Sequence, residues 1–241
     1  MPKKKKFKTK QLNTELERLR HEVDLLQDQE SIRELQYAYG YYLDKCLYQE
    51  VVDLFCEDCE VRFGGGRFIG RSGIMRLYLD RFRQRFTGGY NGPIDGFLLD
   101  HLQLQGIVHV ADDRRSAHGR FRCFMQAGTH LSQGPAPEGR LQQWWEGGVY
   151  ENEYIREDDV WKIRLLNYNV TFWGEYDKGW AAWDKHEIGR ITTTWPEDPT
   201  GADELISPAP GRWPMTPVIP FHYRHPVTGK KWKAAKRKKA K

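Results

Sequence analysis

Apolar residues recur at helical spacing through the first fifty or so positions and at strand spacing from Glu60 onward, and this one change of period restricts the fold most. Leu12, Leu16, Leu19, Val23 and Leu26 step by 4, 3, 4 and 3, with charged residues between them. Ile32, Leu35, Tyr39 and Tyr42 continue at 3, 4 and 3 beyond Ser31, which reads as a break or cap. The spacing predicts one bent helix or two in series, then a short helix over 49–56. Val61-Arg62-Phe63 and Arg67-Phe68-Ile69 flank three glycines, the pattern of a hairpin. A phosphate loop would need a Lys-Ser/Thr close behind those glycines, and none follows. Ser72 reads as the N-cap of a third helix carrying Ile74, Leu77, Tyr78 and Phe82. Strands are expected over 98–110, 117–127, 143–156 and 161–172, with a Pro-containing loop over 128–140. Helices first and antiparallel strands afterwards indicate an α+β layer architecture.

Charge is divided unevenly. Six lysines fall in residues 1–10 and eight Lys/Arg in residues 230–241, with no acid in either stretch; the remaining 24 basic residues face 33 acidic ones, so the body is near −9. A nucleic-acid surface would hold its basic residues on a folded face among aromatics. These ends read instead as solvated tails, and no specific nucleic-acid partner is expected. No apolar run approaches the roughly 18 residues of a membrane span, and with charged residues and no apolar stretch behind Met1 no secretory signal is expected. Cys46, Cys56, Cys59 and Cys123 include a single C-x-x-C with no second pair, so they read as free thiols of a cytoplasmic protein. Trp180, Ala181, Trp183 and His186 suggest a short helix; beyond them, seven prolines from Pro196 to Pro220 space out an extended arm. Its apolar residues, Trp213 to Tyr223, are too many for a free linker, so the arm should lie across the body or a neighbouring subunit. The expected organisation is a tail and helix over 1–29, a domain over 30–180 and an arm over 181–241.

Several segments carry a resemblance. Ile32-Arg33-Glu34-Leu35 with residues 37–44 resembles the opening helix of the SnoaL-like branch of the nuclear transport factor 2-like superfamily. Val160-Trp161-Lys162-Ile163 resembles that branch's last-strand signature, and Trp173-Gly174-Glu175-Tyr176-Asp177 a run found in scytalone dehydratase. The likeness covers about residues 30–180. It implies a cone-shaped α+β fold, with N-terminal helices packed on a curved antiparallel sheet around one pocket for a small, largely apolar ligand.

The same resemblance implies that Asp44, ending the first long helix, and His101, in the first long strand, are catalytic. Imidazole is the side chain best suited to moving a proton near neutral pH, and a carboxylate on its second nitrogen fixes the tautomer. Tyr42 shares the helix face of Leu35 and is the better pocket candidate, with Tyr41 beside it. Leu43 stands where the family has a tyrosine, which weakens direct transfer of the scytalone mechanism. Arg120 and Arg122 are candidates to hold a phenolate or carboxylate. Trp145, Tyr150 and Asn167 are further candidates for the pocket wall, and nine tryptophans suit a site for flat aromatic ligands. No H-E-x-x-H, paired C-x-x-C or nucleotide motif occurs, so neither metal nor organic cofactor is expected. The implied activity is that of a cofactor-independent lyase on a small hydroxylated aromatic compound. Water or formaldehyde would leave through a quinone methide, as from lignin-derived diarylpropane dimers. An isomerase of the ketosteroid-isomerase type and a non-catalytic binding or assembly module are the alternatives. A homo-oligomer, dimer or trimer, is expected.

Overall fold

Residues 2–44 form a single rod. In the computed structural model, which describes residues 2–182 and 189–234, α1 runs unbroken over Pro2–Asp44. Ser31 does not break it, because its hydroxyl donates to the Gln27 carbonyl at 3.0 Å and stays within the helical ladder. Ile32, Gln36, Tyr39 and Leu43 form the buried face. The amide of Gln36 fixes that face to the sheet. It donates to Gln103 Oε1 at 2.9 Å and accepts from Asn152 Nδ2 at 2.9 Å and Tyr154 Oη at 2.8 Å.

The short helix α2, Tyr48–Asp53, ends earlier than its apolar run suggests, because Phe55 already pairs with Ile163 as part of β1, Phe55–Phe63. β2, Gly66–Ile69, returns antiparallel after Gly64 and Gly65, whose φ values of 61° and 91° suit glycine. α3, Gly70–Met75, starts two residues before Ser72, and no side chain caps it. Asp203, from a distant part of the chain, accepts the N–H of Ile69, the residue just before the helix, at 2.8 Å. A π-helical stretch, Arg76–Phe82, and α4, Arg83–Thr87, continue the rod until Gly88 turns left-handed.

Four long strands follow: β3 Phe97–Val110, β4 Ser116–Thr129, β5 Gln143–Glu157 and β6 Val160–Glu175. With β7, Glu204–Leu205, they complete a seven-stranded sheet ordered β3-β4-β5-β6-β1-β2-β7. The layering is the expected α+β one, but the sheet is mixed, since β1 lies parallel to β6. Register shifts at Leu104/Ile107, Gly147/Gly148 and Glu153/Tyr154 bend the sheet, and α1 packs in the resulting concavity. The core lies between them, around Phe121, Tyr150, Tyr154, Ile163 and Leu166.

The C-terminal arm covers the opposite, convex face. Trp213 N–H donates to Thr171 O at 2.8 Å, and Arg120 donates to Pro220 O at 2.9 Å with its guanidinium 4.3 Å from the Phe221 ring centre. His222 bonds Glu151 and stands 3.0 Å from His109 Nδ1. Trp183 and His186 of the expected short helix lie outside the described residues, as do residues 235–241; Trp180 is in a turn.

Ending the chain after Pro210 uncovers Arg120 and Glu151 and removes these contacts. A loss of about 2 kcal/mol corresponds to a melting-temperature fall of roughly 4–8 °C at this chain length. Ending it after Lys230 should change the melting temperature by less than about 1 °C on the same scale. Differential scanning calorimetry of both truncations checks the pair.

Candidate active site

The site begins where α1 crosses β3. At Gly40 a Cβ would stand 2.8 Å from Gln103 Cγ and 3.4 Å from the His101 carbonyl, so helix and strand meet backbone to side chain. One turn later Asp44 reaches β3, and its Oδ1 accepts the His101 backbone N–H at 2.6 Å. The same oxygen lies 3.5 Å from His101 Nδ1, a buried ring nitrogen without a hydrogen bond. Carboxylate and imidazole are thus adjacent but loosely coupled through the ring, a spacing that free enzymes tighten on binding substrate.

His101 faces a cavity of about 80 Å³ enclosed by α1, the π-helical stretch and the concave face of the sheet. Its walls are mostly aromatic. Tyr39 and Tyr78 share a hydrogen bond at 3.0 Å, and Tyr150 stacks on Tyr168 with ring centres 4.5 Å apart. Gly148 makes room for that stack, since a Cβ there would meet the Tyr168 ring at 2.3 Å. Tyr168 Oη then donates to Glu146 Oε1 at 2.6 Å. Glu146 is 2% exposed, and burial pushes its pKa up to about 7 against the opposing effects of Tyr168 and Arg212. Trp144 Nε1 and Trp173 Nε1, both on the wall, are buried without a hydrogen bond, and Tyr48 beside them meets the Cys46 thiol.

A second chamber of about 290 Å³ adjoins the first and shares Phe63, Phe82, Phe86, Trp144 and Trp173 with it. The loop over 133–141 and three arginines complete it. Arg81 is held by Asp198 at 3.1 Å; Arg85 and Arg140 have no ion pair among the described residues. Partial desolvation lowers the pKa of Arg85, and the charges of Arg140 and Arg81 add to this.

A family model for the SnoaL-like domain matches residues 24–167. The chain belongs to the SnoaL-like family. Solved structures agree on the fold. LinA superposes with a TM-score of 0.51 at 17% identity over 68% of this chain and 96% of that one. A type 2 hexachlorocyclohexane dehydrochlorinase gives 0.50 at 19% over 63% and 90%. A candidate scytalone dehydratase from Novosphingobium aromaticivorans gives 0.49 at 20% over 63% and 89%. A search of curated protein sequences finds no match to the chain.

Within this SnoaL-like domain the residues singled out from the sequence separate into two groups. His101 and Tyr150 line the inner cavity, and Asp44 backs His101. The others lie elsewhere. Tyr42 is half-buried against the core outside the cavity wall, and Tyr41 is 74% exposed beside a shallow cleft over Gly40 and Asp44. Arg120 is on the convex face, paired with Glu151 and covered by the arm; Arg122 donates to Gln105 Oε1 there at 2.8 Å. Trp145 stacks between Phe124 and Tyr176, with ring centres 5.4 and 5.2 Å away. Asn167 sits between the cavity residues Leu166 and Tyr168, and its own N–H donates to Asn152 Oδ1 at 3.0 Å. Strand alternation sends neighbours to opposite faces, so Trp144 and Glu146 point in where Trp145 points out. Glu146 was legible only through its even spacing from Tyr150. Trp173 heads the Trp-Gly-Glu-Tyr-Asp run and Trp144 neighbours Trp145, but nothing local sent either to the cavity; Tyr48 and the arginines of the outer chamber carried no local signal. Among the described residues no three His, Cys, Asp or Glu are placed to hold a metal, and no helix is long and apolar enough to cross a membrane.

Glu146 makes stability depend on pH in a set direction. Its folded pKa lies above the ordinary 4.5, so the folded state favours the protonated form. That stability is complete below about pH 4.5 and is lost as pH rises through about 7, up to roughly 3 kcal/mol. Glu146→Gln removes the loss: between pH 5 and 8 the native protein's melting temperature should fall relative to that of the variant.

Proposed function

We propose that this SnoaL-like protein is a cofactor-free lyase for a small hydroxylated aromatic compound, working by general acid–base chemistry. The observation that supports it most is one apolar cavity carrying an imidazole backed by a carboxylate at one side and a neutral-leaning carboxyl at another. A carboxyl that burial brings toward neutrality, placed in one cavity with an imidazole, gives the pair of proton-exchanging groups that acid–base catalysis needs. The unpartnered N–H groups of Trp144 and Trp173 offer donors to substrate oxygens. The two adjoining chambers suit a two-ring substrate, one ring beside His101 and the other toward Arg85 and Arg140, and this favours diarylpropane-type dimers.

In this reading His101 accepts the proton of a phenol, with Asp44 orienting the ring. Electron density from the phenolate expels the para benzylic hydroxyl as water, its proton supplied by Glu146, and leaves a quinone methide. Removal of a neighbouring C–H proton then completes a dehydration. Removal instead of a hydroxymethyl O–H proton breaks a C–C bond and releases formaldehyde. Both routes restore the phenol. The dehydrochlorinase of similar fold is named for an elimination too.

A ketosteroid-isomerase type of reaction is the second reading, favoured by the buried Glu146 beside two indole donors, because one carboxyl there could shuttle a proton unaided. His101 separates the two. Incubation with hydroxylated phenylpropanoid dimers should yield a conjugated product, with or without formaldehyde; a broad panel giving neither refutes the lyase. His101→Ala should lower kcat by about 100-fold, the usual scale for loss of an acid–base group. Undiminished turnover by that variant selects the isomerase. Asp44→Asn keeps an acceptor for the His101 N–H while removing the charge. It should reduce kcat by at least about 10-fold, a fraction of that scale, with little change in melting temperature.

A further inference from the structure

The two halves of α1 present opposite faces. Ile32, Gln36, Tyr39 and Leu43 are buried against the body. At 3.6 residues per turn, Leu12, Leu16, Leu19, Val23 and Leu26 lie about 150° around the same rod. These five side chains are 44–64% exposed, and from Thr9 to Val23 the helix is exposed on every side. The body therefore cannot cover the stripe without breaking α1. An isolated helix of about 15 residues is marginal in water, so this projecting segment gains from a partner.

The stripe has a heptad register. Leu12, Leu19 and Leu26 occupy one core position (d) and Leu16 and Val23 the other (a). Leucine at every d position, with the β-branched Val23 at one of the two a positions, favours two strands. Flanking charges favour a direction. In a parallel pair, Glu15 at a g position faces the e position five residues on, which is Arg20 of the partner subunit. Arg20 has no ion pair among the described residues; Glu15 is held by Arg18 of its own helix, but Arg18 also engages Glu22 and keeps that partner when Glu15 turns to Arg20. An antiparallel pair would set Glu15 against the partner subunit's Glu22.

We infer that residues 9–30 form a parallel, two-stranded coiled coil with a second copy of this chain. The body of each copy is left with its cavity free, and the two basic N-termini emerge side by side. Heptads this few hold chains together weakly, so the pair should dissociate on dilution.

Sedimentation equilibrium of the full chain at tens of micromolar should give two chains, and the double variant Leu16→Lys/Val23→Lys one. Both sites are exposed, and an unchanged near-ultraviolet circular dichroism spectrum, to which residues 9–30 contribute no Trp, Tyr or Phe, would establish that the body of the variant still folds. A native protein that sediments as one chain, or a double variant of unchanged mass, overturns the inference. Direction is read separately. Cys46, Cys56, Cys59 and Cys123 are all buried, so mild oxidation reports on an introduced thiol. Leu12→Cys chains should join to one another. If joining instead requires mixing Leu12→Cys with Val23→Cys chains, the strands are antiparallel and the inference is wrong.

Discussion

Between α1 and β3 nothing but a hydrogen atom separates helix from strand at Gly40, where a Cβ would press on Gln103 Cγ at 2.8 Å. That contact sets the height of α1 above the sheet, and the buried Gln36 amide sets its rotation. Gln36 satisfies donors and acceptors on β3 and β5 together, and a buried amide with unmet partners would cost about 1–3 kcal/mol. With height and rotation both fixed, Asp44 emerges opposite the His101 backbone and nowhere else. Substituting a larger residue at position 40 would lift the helix end and part the carboxylate from the strand, although neither side chain had changed.

The other half of the site depends on exclusion of water. Tyr39, Tyr78, Tyr150 and Tyr168 are all buried, and desolvation raises their pKa values well above the ordinary phenol range. They are therefore neutral walls and donors, not bases, at any ordinary pH. The same desolvation acts on Glu146, but a carboxyl starts from a far lower pKa and is carried only to about 7. One environment thus leaves four phenols inert and brings one carboxyl to the proton-exchanging range. Gly148 contributes by absence, since its missing side chain lets Tyr168 lie flat enough to donate to Glu146.

How far this was legible in the sequence follows from the range of each interaction. The four long strands and the helical first segment show in local periodicity, and their order carries the α+β layering. The parallel pairing of β1 with β6 left no such trace, because Val61 and Leu166 meet across more than a hundred residues. α3 begins at Gly70 and not at Ser72, and the residue before it, Ile69, is held by Asp203 from more than a hundred residues away. His101 and Asp44 were singled out by resemblance, and geometry then placed them together. Arg120 shows the limit of alternation, which assigns a residue to a face without saying which face is concave. Its neutraliser Glu151 sits opposite on β5, and its cover, Pro220 and Phe221, comes a hundred residues later. No local pattern separates such an arginine from one lining a cavity.

The arm belongs to this account of charge as well as to that of packing. Arg212 is only 7% exposed, and its positive charge lowers the pKa of Glu146 against the upward effect of burial. It is delivered there by the start of the arm, where Trp213 is pinned through its backbone to Thr171 and through its indole N–H to the Trp180 carbonyl at 2.8 Å. Thr171 in turn donates its hydroxyl to Gly147 O at 2.8 Å, next to Glu146 and at the register shift between Gly147 and Gly148. The arm, β6 and β5 therefore form one connected support behind the carboxyl. Without it Glu146 would lose the one cation known to oppose its desolvation, and its pKa would move further up. A segment outside the 24–167 span of the family model thus helps set the proton affinity of a group inside the cavity.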